Sequence, residues 1–263
     1  MSVPNSLVFD GSALRAVLFQ PGLENLLVTF DHRKIGKSDF GEAQPVKQAL
    51  KRGFSVLRVQ SARNDWFINA EIQALEAALG EMRKGYARAN AIGYSMGGYG
   101  VFRFADCLSL DAAIAVSPQF SVSPEVVPWD PRFFDEAPDF DPEVGALATP
   151  QKPFKALILV DPFHRADLRN ATMIREVFAN TCLLRLGFAG HPASTAITRG
   201  GKGGALMAQV LAREPSPAAI RRAFAETRSQ SPVFLRRIAQ HSAARRPELA
   251  NWARQRLATL ELA

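Results

Sequence analysis

Cysteine is nearly absent: Cys107 and Cys182 are the only two among 263 residues. That excludes a disulfide scaffold and fits a reducing compartment, so a cytoplasmic location with two buried thiols is expected. Long apolar runs are missing too. None approaches the roughly 18–20 residues a membrane-spanning helix needs. The first 25 residues mix Asp10, Arg15, Pro21 and Glu24 among short apolar stretches, and so do not read as a signal peptide. No His/Cys cluster has metal-ligand spacing, so no zinc or other metal site and no cofactor is expected. A P-loop is lacking as well. Ile35-Gly36-Lys37-Ser38 ends like one, but the leading glycine would fall on Asp31. No internal repeat is seen.

What is present is ordinary in kind and uneven in distribution. The hydrophobic share of 47% and charged share of 22% suit a globular chain with a deep core. The formal net charge is +7, which invites a nucleic-acid reading until the charge is located. From Arg213 onward there are ten arginines, no lysine and four acids, so six of the seven net charges belong to the last 51 residues. A segment of opposite sign runs from Pro118 to Pro153, with seven acids, only Arg132 and Lys152 as bases, and eight of the 17 prolines. Proline at that density excludes long helices and central strands. The chain therefore divides into a nearly neutral body over 1–212, an acidic Pro-rich insertion within it at about 118–153, and a basic extension over 213–263.

In the body, short apolar runs bounded by polar or Gly/Pro residues recur at Leu14–Phe19, Leu26–Phe30, Ser55–Val59, Ala89–Tyr94, Ala112–Val116, Ala156–Val160 and Cys182–Phe188. Their length and their Val/Ile/Leu content predict strands buried on both faces. Ile68, Ile72, Leu75 and Leu79 share one helical face between two of them, as do Ala171, Ile174 and Phe178. Alternating strands and helices predict an α/β fold: a mostly parallel sheet flanked by helices on both faces, with its ligand site beyond the carboxyl ends of the strands.

One motif is specific. The run Ala89–Tyr94 leads straight into Gly93-Tyr94-Ser95-Met96-Gly97-Gly98 and then a helical stretch from Gly97 to about Leu108. Gly-x-Ser-x-Gly between a strand and a helix is a nucleophile elbow. The turn is so tight that residues two before and two after the serine must lack a Cβ. The serine oxygen then stands at a helix N-terminus, where free N–H groups favour developing negative charge. On these residues the chain resembles the α/β-hydrolase superfamily over roughly 10–212, with the specific core at Ala91–Ser117.

The resemblance implies the chain order Ser, acid, His. Ser95 would be the nucleophile. His191, in Gly190-His191-Pro192 after the last strand, would be the base. His32 lies before the serine, His164 near the acid and His241 in the basic extension, and they fit less well. For the acid two positions stand open. Asp161, at the end of strand Ala156–Val160, is preferred, although it is early for the superfamily pattern; Asp167, six residues on, stands where a helix N-cap is also expected. The oxyanion hole would use the backbone N–H of Met96 and one from the loop Asp31-His32-Arg33, by position His32. That loop lacks the glycine-rich motif common in lipases.

Trp66 and Phe67 follow strand Ser55–Val59 at the ligand end of the sheet; they could line a substrate pocket or staple the next helix. The insertion carries Phe120, Trp129, Phe133, Phe134 and Phe140, and superfamily members often place a lid there. The glycines of Gly200-Gly201-Lys202-Gly203-Gly204 read as the lead-in to a helix over Ala205–Ala212. The basic extension reads as three amphipathic helices, about Pro217–Thr227, Val233–Ser242 and Glu248–Leu260, with arginine pairs opposite the apolar faces. An acidic partner, including the chain's own insertion, could meet them; aromatics are too sparse for nucleic-acid stacking, and no nucleic acid is expected. The resemblance thus implies a serine hydrolase acting on a small ester-type acyl substrate. An acyltransferase with the same triad, or a scaffold acting through its basic helices, stand as alternatives.

Overall fold

The computed structural model describes residues 3–261. They form one eight-stranded sheet in the order β1-β2-β4-β3-β5-β6-β7-β8. The strands are β1 (Asn5–Asp10), β2 (Leu14–Phe19), β3 (Asn25–Phe30), β4 (Phe54–Ser61), β5 (Arg88–Tyr94), β6 (Ala112–Val116), β7 (Lys155–Val160) and β8 (Thr181–Arg185). The helices are α1 (Lys47–Leu50), α2 (Ile72–Arg83), α3 (Met96–Arg103), α4 (Arg165–Val177), α5 (Thr195–Ile197), α6 (Gly203–Val210), α7 (Pro217–Thr227), α8 (Pro232–Ser242) and α9 (Pro247–Glu261). Strand β2 is antiparallel to both β1 and β4, and every pairing from β4 through β8 is parallel.

Each predicted strand is present, within a few residues at its ends. The exceptions have physical reasons. Strand β1 has four exposed residues and packs only Val8 and Phe9 against the core, so it lacks the buried-run signal. Strand β8 ends at Arg185, because Leu186–Phe188 already turn into the loop that follows. Being the outer strand, β8 also exposes Cys182, against the expectation of two buried thiols; Cys107 is half-buried, and burial pushes its thiol up to about 12.

The central strands are apolar on both sides because both sides are covered. One face, with Leu26, Val28, Leu57, Val59, Ala91 and Ala113, packs under α2, α3 and α4. The other, with Leu27, Val56, Ile92, Ile114, Leu157 and Leu159, packs under α1, α6, α7 and α8. Burying each Leu, Ile or Phe side chain contributes about 1.5–3 kcal/mol. The basic extension shares this second core: Ile220, Phe224, Phe234 and Leu235 are buried in it, and α9 packs on α8. The helix caps Ser216 and Ser231 accept the N–H groups of Ala219 and Phe234, as serine before an apolar run predicts.

The insertion is ordered without long elements; its one helical turn is 3-10 at Pro131–Phe133. It is fastened at several points. The Tyr99 hydroxyl donates to Gly145 O at 2.7 Å, and Glu136 takes Arg33 Nε at 2.6 Å and Asn64 Nδ2 at 2.9 Å. Among the described residues no helix is long and apolar enough to cross a membrane.

Candidate active site

The elbow is formed as the glycine spacing requires. Ser95 has φ 51° and ψ −117°, a left-handed conformation that costs a non-glycine residue of order 1–3 kcal/mol. Surrounding bonds hold it there: its N–H donates to Val116 O at 2.9 Å, and its carbonyl accepts from Gly98 N at 2.7 Å. A Cβ on Gly93 would lie 1.9 Å from Gly97 O, so no side chain is possible there. A Cβ on Gly97 would lie 2.8 Å from Asp31 O. Strand β3's exit loop therefore rests directly on the start of α3.

His191 Nε2 is 3.0 Å from Ser95 Oγ, and His191 Nδ1 is 2.7 Å from Asp167 Oδ2. The loop bearing His191 is held from below. Ser117 Oγ accepts Ala193 N at 3.1 Å, and Gly190 passes so close to α8 that a Cβ on it would meet Val233 Cγ1 at 2.6 Å.

Asp167, and not the preferred Asp161, is the carboxylate on His191. Both are fully buried, and their surroundings differ. Asp161, at the very end of β7, accepts the N–H groups of Phe163, Phe188 and Gly190 at 2.9–3.0 Å and receives Arg237 Nη1 of α8 at 3.3 Å. Its oxygens are taken up by its own loop, by the loop that carries His191 and by α8. Asp167 lies in the first turn of α4, whose N-cap is His164, and that turn brings the carboxyl back over the sheet end. Burial opposes charge on Asp167, but hydrogen bonds from His164 and His191 and the positive charge of Arg132 outweigh it and hold the carboxyl well below the usual range.

Sequence reasoning missed Arg132. Its Nη1 donates to Asp167 Oδ1 at 2.8 Å, and Nε and Nη2 hold Asp130 at 2.6 and 2.7 Å. A lone arginine in a proline-rich acidic stretch was the available signal. Gln119 was also missed. It is fully buried, and its Oε1 accepts Trp66 Nε1 at 3.1 Å and Ser95 Oγ at 3.4 Å.

Ser95, His191, His32, Arg33, Tyr94, Arg132, Phe133, His164 and Pro192 line one cavity of about 340 Å³. Burial pushes the Tyr94 phenol up to about 12, so it stays protonated. His32 is thus brought to the serine. Asp31 N still bonds Val59 O of β4, which makes His32 the first residue of its loop to leave the sheet. Met96 heads α3, so its N–H has no intrahelical acceptor. Desolvation, then the charge of Arg58, holds the His32 imidazole below its ordinary pKa.

Trp66 and Phe67 do not reach this cavity. Both are fully buried. Phe67 packs edge-on against Phe30 and Phe104, and Trp66 stands one layer back, 5.0 Å from the Phe133 ring. They staple the core because the segment before α2 turns inward, both residues adopting positive φ. Of the five insertion aromatics, Phe133 alone lines the cavity among the described residues; Phe120 and Phe140 join the core, and Trp129 lies under the Arg169 guanidinium.

The strand order, the single antiparallel crossover at β2 and the elbow after β5 decide the architecture. The chain has the α/β-hydrolase fold. Solved structures of that fold resemble it at low identity. A presumed thioesterase from Silicibacter sp. TM1040 matches at 16% identity and TM-score 0.51, over 82% of this chain and 85% of that one. A fungal esterase from Rhizomucor miehei matches at 17% and 0.47, over 86% and 85%. The capsule O-acetyltransferase of Neisseria meningitidis serogroup A matches at 14% and 0.48, over 70% and 87%. No protein-family model and no curated protein matches the sequence. At these identities the likeness is one of fold, so chemistry has to be argued from the site.

Proposed function

We propose that this α/β-hydrolase-fold chain is a serine hydrolase of ester-type acyl substrates. The observation that carries the reading is the unbroken line from Ser95 Oγ through His191 to Asp167, at 3.0 and 2.7 Å, on a strained elbow that opens into a cavity. In the proposed reaction Ser95 Oγ attacks the carbonyl carbon while its proton passes to His191 Nε2. Asp167 holds the proton of His191 on Nδ1 and stabilises the imidazolium. The N–H groups of Met96 and His32 receive the oxyanion. Collapse of the tetrahedral adduct expels the alcohol, which takes the proton from His191. Water then gives a proton to His191, attacks the acyl-enzyme and releases the acid and Ser95.

The test is activity-based labelling. A fluorophosphonate probe should label the wild-type chain at Ser95, and Ser95→Ala should lose both the label and turnover of short p-nitrophenyl esters. Label persisting on another residue of Ser95→Ala, with turnover intact, would overturn the proposal. The same assay run with added alcohol separates hydrolysis from acyl transfer.

A further inference from the structure

A second chamber of about 450 Å³ adjoins the first and shares His32, Tyr94 and Pro192 with it. Its walls are mostly apolar: Phe30, Val46, Ile92 and Met207 contribute, with the hydroxyl-bearing Thr29 and Thr195 between them. Arg58 also lines it. That residue breaks the pattern of its strand. Phe54 and Val56 of β4 belong to the core under α1 and α6, and alternation puts Arg58 next on the same face, where a third apolar residue would be expected. Gln60 follows it on that face, so the row turns polar toward the carboxyl end of β4, the end of the sheet where ligands bind.

The charges near Arg58 do not cancel. Its Nη2 donates to Asp31 Oδ1 at 2.6 Å, and the other oxygen of Asp31 already holds Lys37 Nζ at 2.6 Å. Asp31 and Lys37 are buried, whereas the Arg58 side chain is 23% exposed. No other hydrogen bond to the Arg58 guanidinium forms among the described residues. Two cations thus share one carboxylate. Arg58, the more exposed of the two, lines the chamber with one donor engaged, and its planar fork has donors left for one further carboxylate.

We propose that Arg58 binds a carboxylate carried by the substrate, so that the preferred ester is acidic: a short apolar arm joins its reacting carbonyl, or its alcohol oxygen, to a terminal carboxylate. The inference rests on the serine-hydrolase reading of Ser95 and deepens it.

The test compares matched esters. On the acyl side these are methyl hemi-esters of four- to six-carbon dicarboxylic acids against methyl esters of uncharged acids of equal length. On the alcohol side they are acetyl esters of ω-hydroxy acids against acetyl esters of the corresponding plain alcohols. The pH-stat reads kcat/KM for all four sets. In one arm the acidic ester should be preferred by about tenfold or more, and Arg58→Met should bring that ratio to about one. The ratio is insulated from any general damage the substitution does. A second measurement needs no variant: on the wild-type chain, glutarate should inhibit competitively and glutaramide should not. A wild-type ratio at or below one in both arms overturns the inference, as does a preference that Arg58→Met leaves intact. If fluorophosphonate labelling at Ser95 and turnover of neutral esters hold while the ratio is flat, the acidic-substrate inference alone fails; if they are absent too, the hydrolase reading itself has failed.

Discussion

Arg132 Nη1 lies 2.8 Å from Oδ1 of Asp167, whose Oδ2 holds His191 at 2.7 Å. A residue of the proline-rich insertion thereby reaches the far side of the carboxylate that faces the imidazole. The insertion supplies Arg132 and Phe133 to the cavity wall and, through Arg132, holds the carboxylate beneath His191.

Removing that guanidinium should show in two measurements. Arg132→Met should lower kcat about tenfold with little change in KM, the size expected for one charged hydrogen bond acting through another residue. The second measurement is the acid limb of stability. The folded Asp167 carboxyl is held below its ordinary range. Its contribution is therefore complete above the unfolded value, roughly pH 4, and is lost as pH falls below that toward the depressed folded value. In Arg132→Met the folded value rises toward the unfolded one, so the Tm difference from wild type should shrink below about pH 4.

The two aspartates should separate cleanly. Asp167→Asn should cost about 10³–10⁴ in kcat, because the amide no longer fixes the reactive tautomer of His191. Both substitutions should lower Tm, because each replaces a buried, hydrogen-bonded carboxylate, so turnover and not stability separates them. Asp161→Asn keeps one oxygen for the N–H groups of Phe163 and Phe188 but sets an NH2 against the Gly190 N–H and the Arg237 guanidinium, and should cost about 1–3 kcal/mol of stability with a smaller loss of kcat. Thermal melts and steady-state kinetics on the pair check the assignment; a larger kcat loss in Asp161→Asn would reverse it.

Gly97→Ala tests the proposed oxyanion loop. The added methyl would press on Asp31 O at 2.8 Å and on Phe30 O at 3.1 Å, and must push the His32 loop away from α3. A drop in kcat of about ten- to a hundredfold is expected for a displaced oxyanion donor. Circular dichroism should show the fold retained.

Truncation after residue 212 should not leave a folded chain. It strips Ile220, Phe224, Phe234 and Leu235 from the core under α1 and α6. Large core side chains are each worth about 2–5 kcal/mol, and a domain's whole stability is about 5–15 kcal/mol. The fragment 1–212 should lose its cooperative melt and bind a hydrophobic dye.

Seven of the eight strands and the elbow are legible along the chain. Strands such as Ala112–Val116 are apolar throughout because both faces are covered, and that pattern survives in any single stretch of chain. Gly93, Ser95 and Gly97 are equally local, since their spacing answers clashes within one turn. The remaining features depend on distant partners. Asp161 and Asp167 are six residues apart and chemically alike; only the turn of α4, set against a loop 24 residues further on, settles which one meets His191. Trp66 and Phe67 look like pocket residues until the backbone turns them into the core. The arginine-rich extension looks detachable until its apolar faces meet the underside of the sheet. The net charge of +7 says nothing of the surplus cation beside the proposed active site, because its effect depends on Arg58 of β4 meeting Asp31 and Lys37 of the loop after β3. Periodicity and backbone sterics act along the chain and can be read there; the facing of one charge toward another is fixed only when the chain closes on itself.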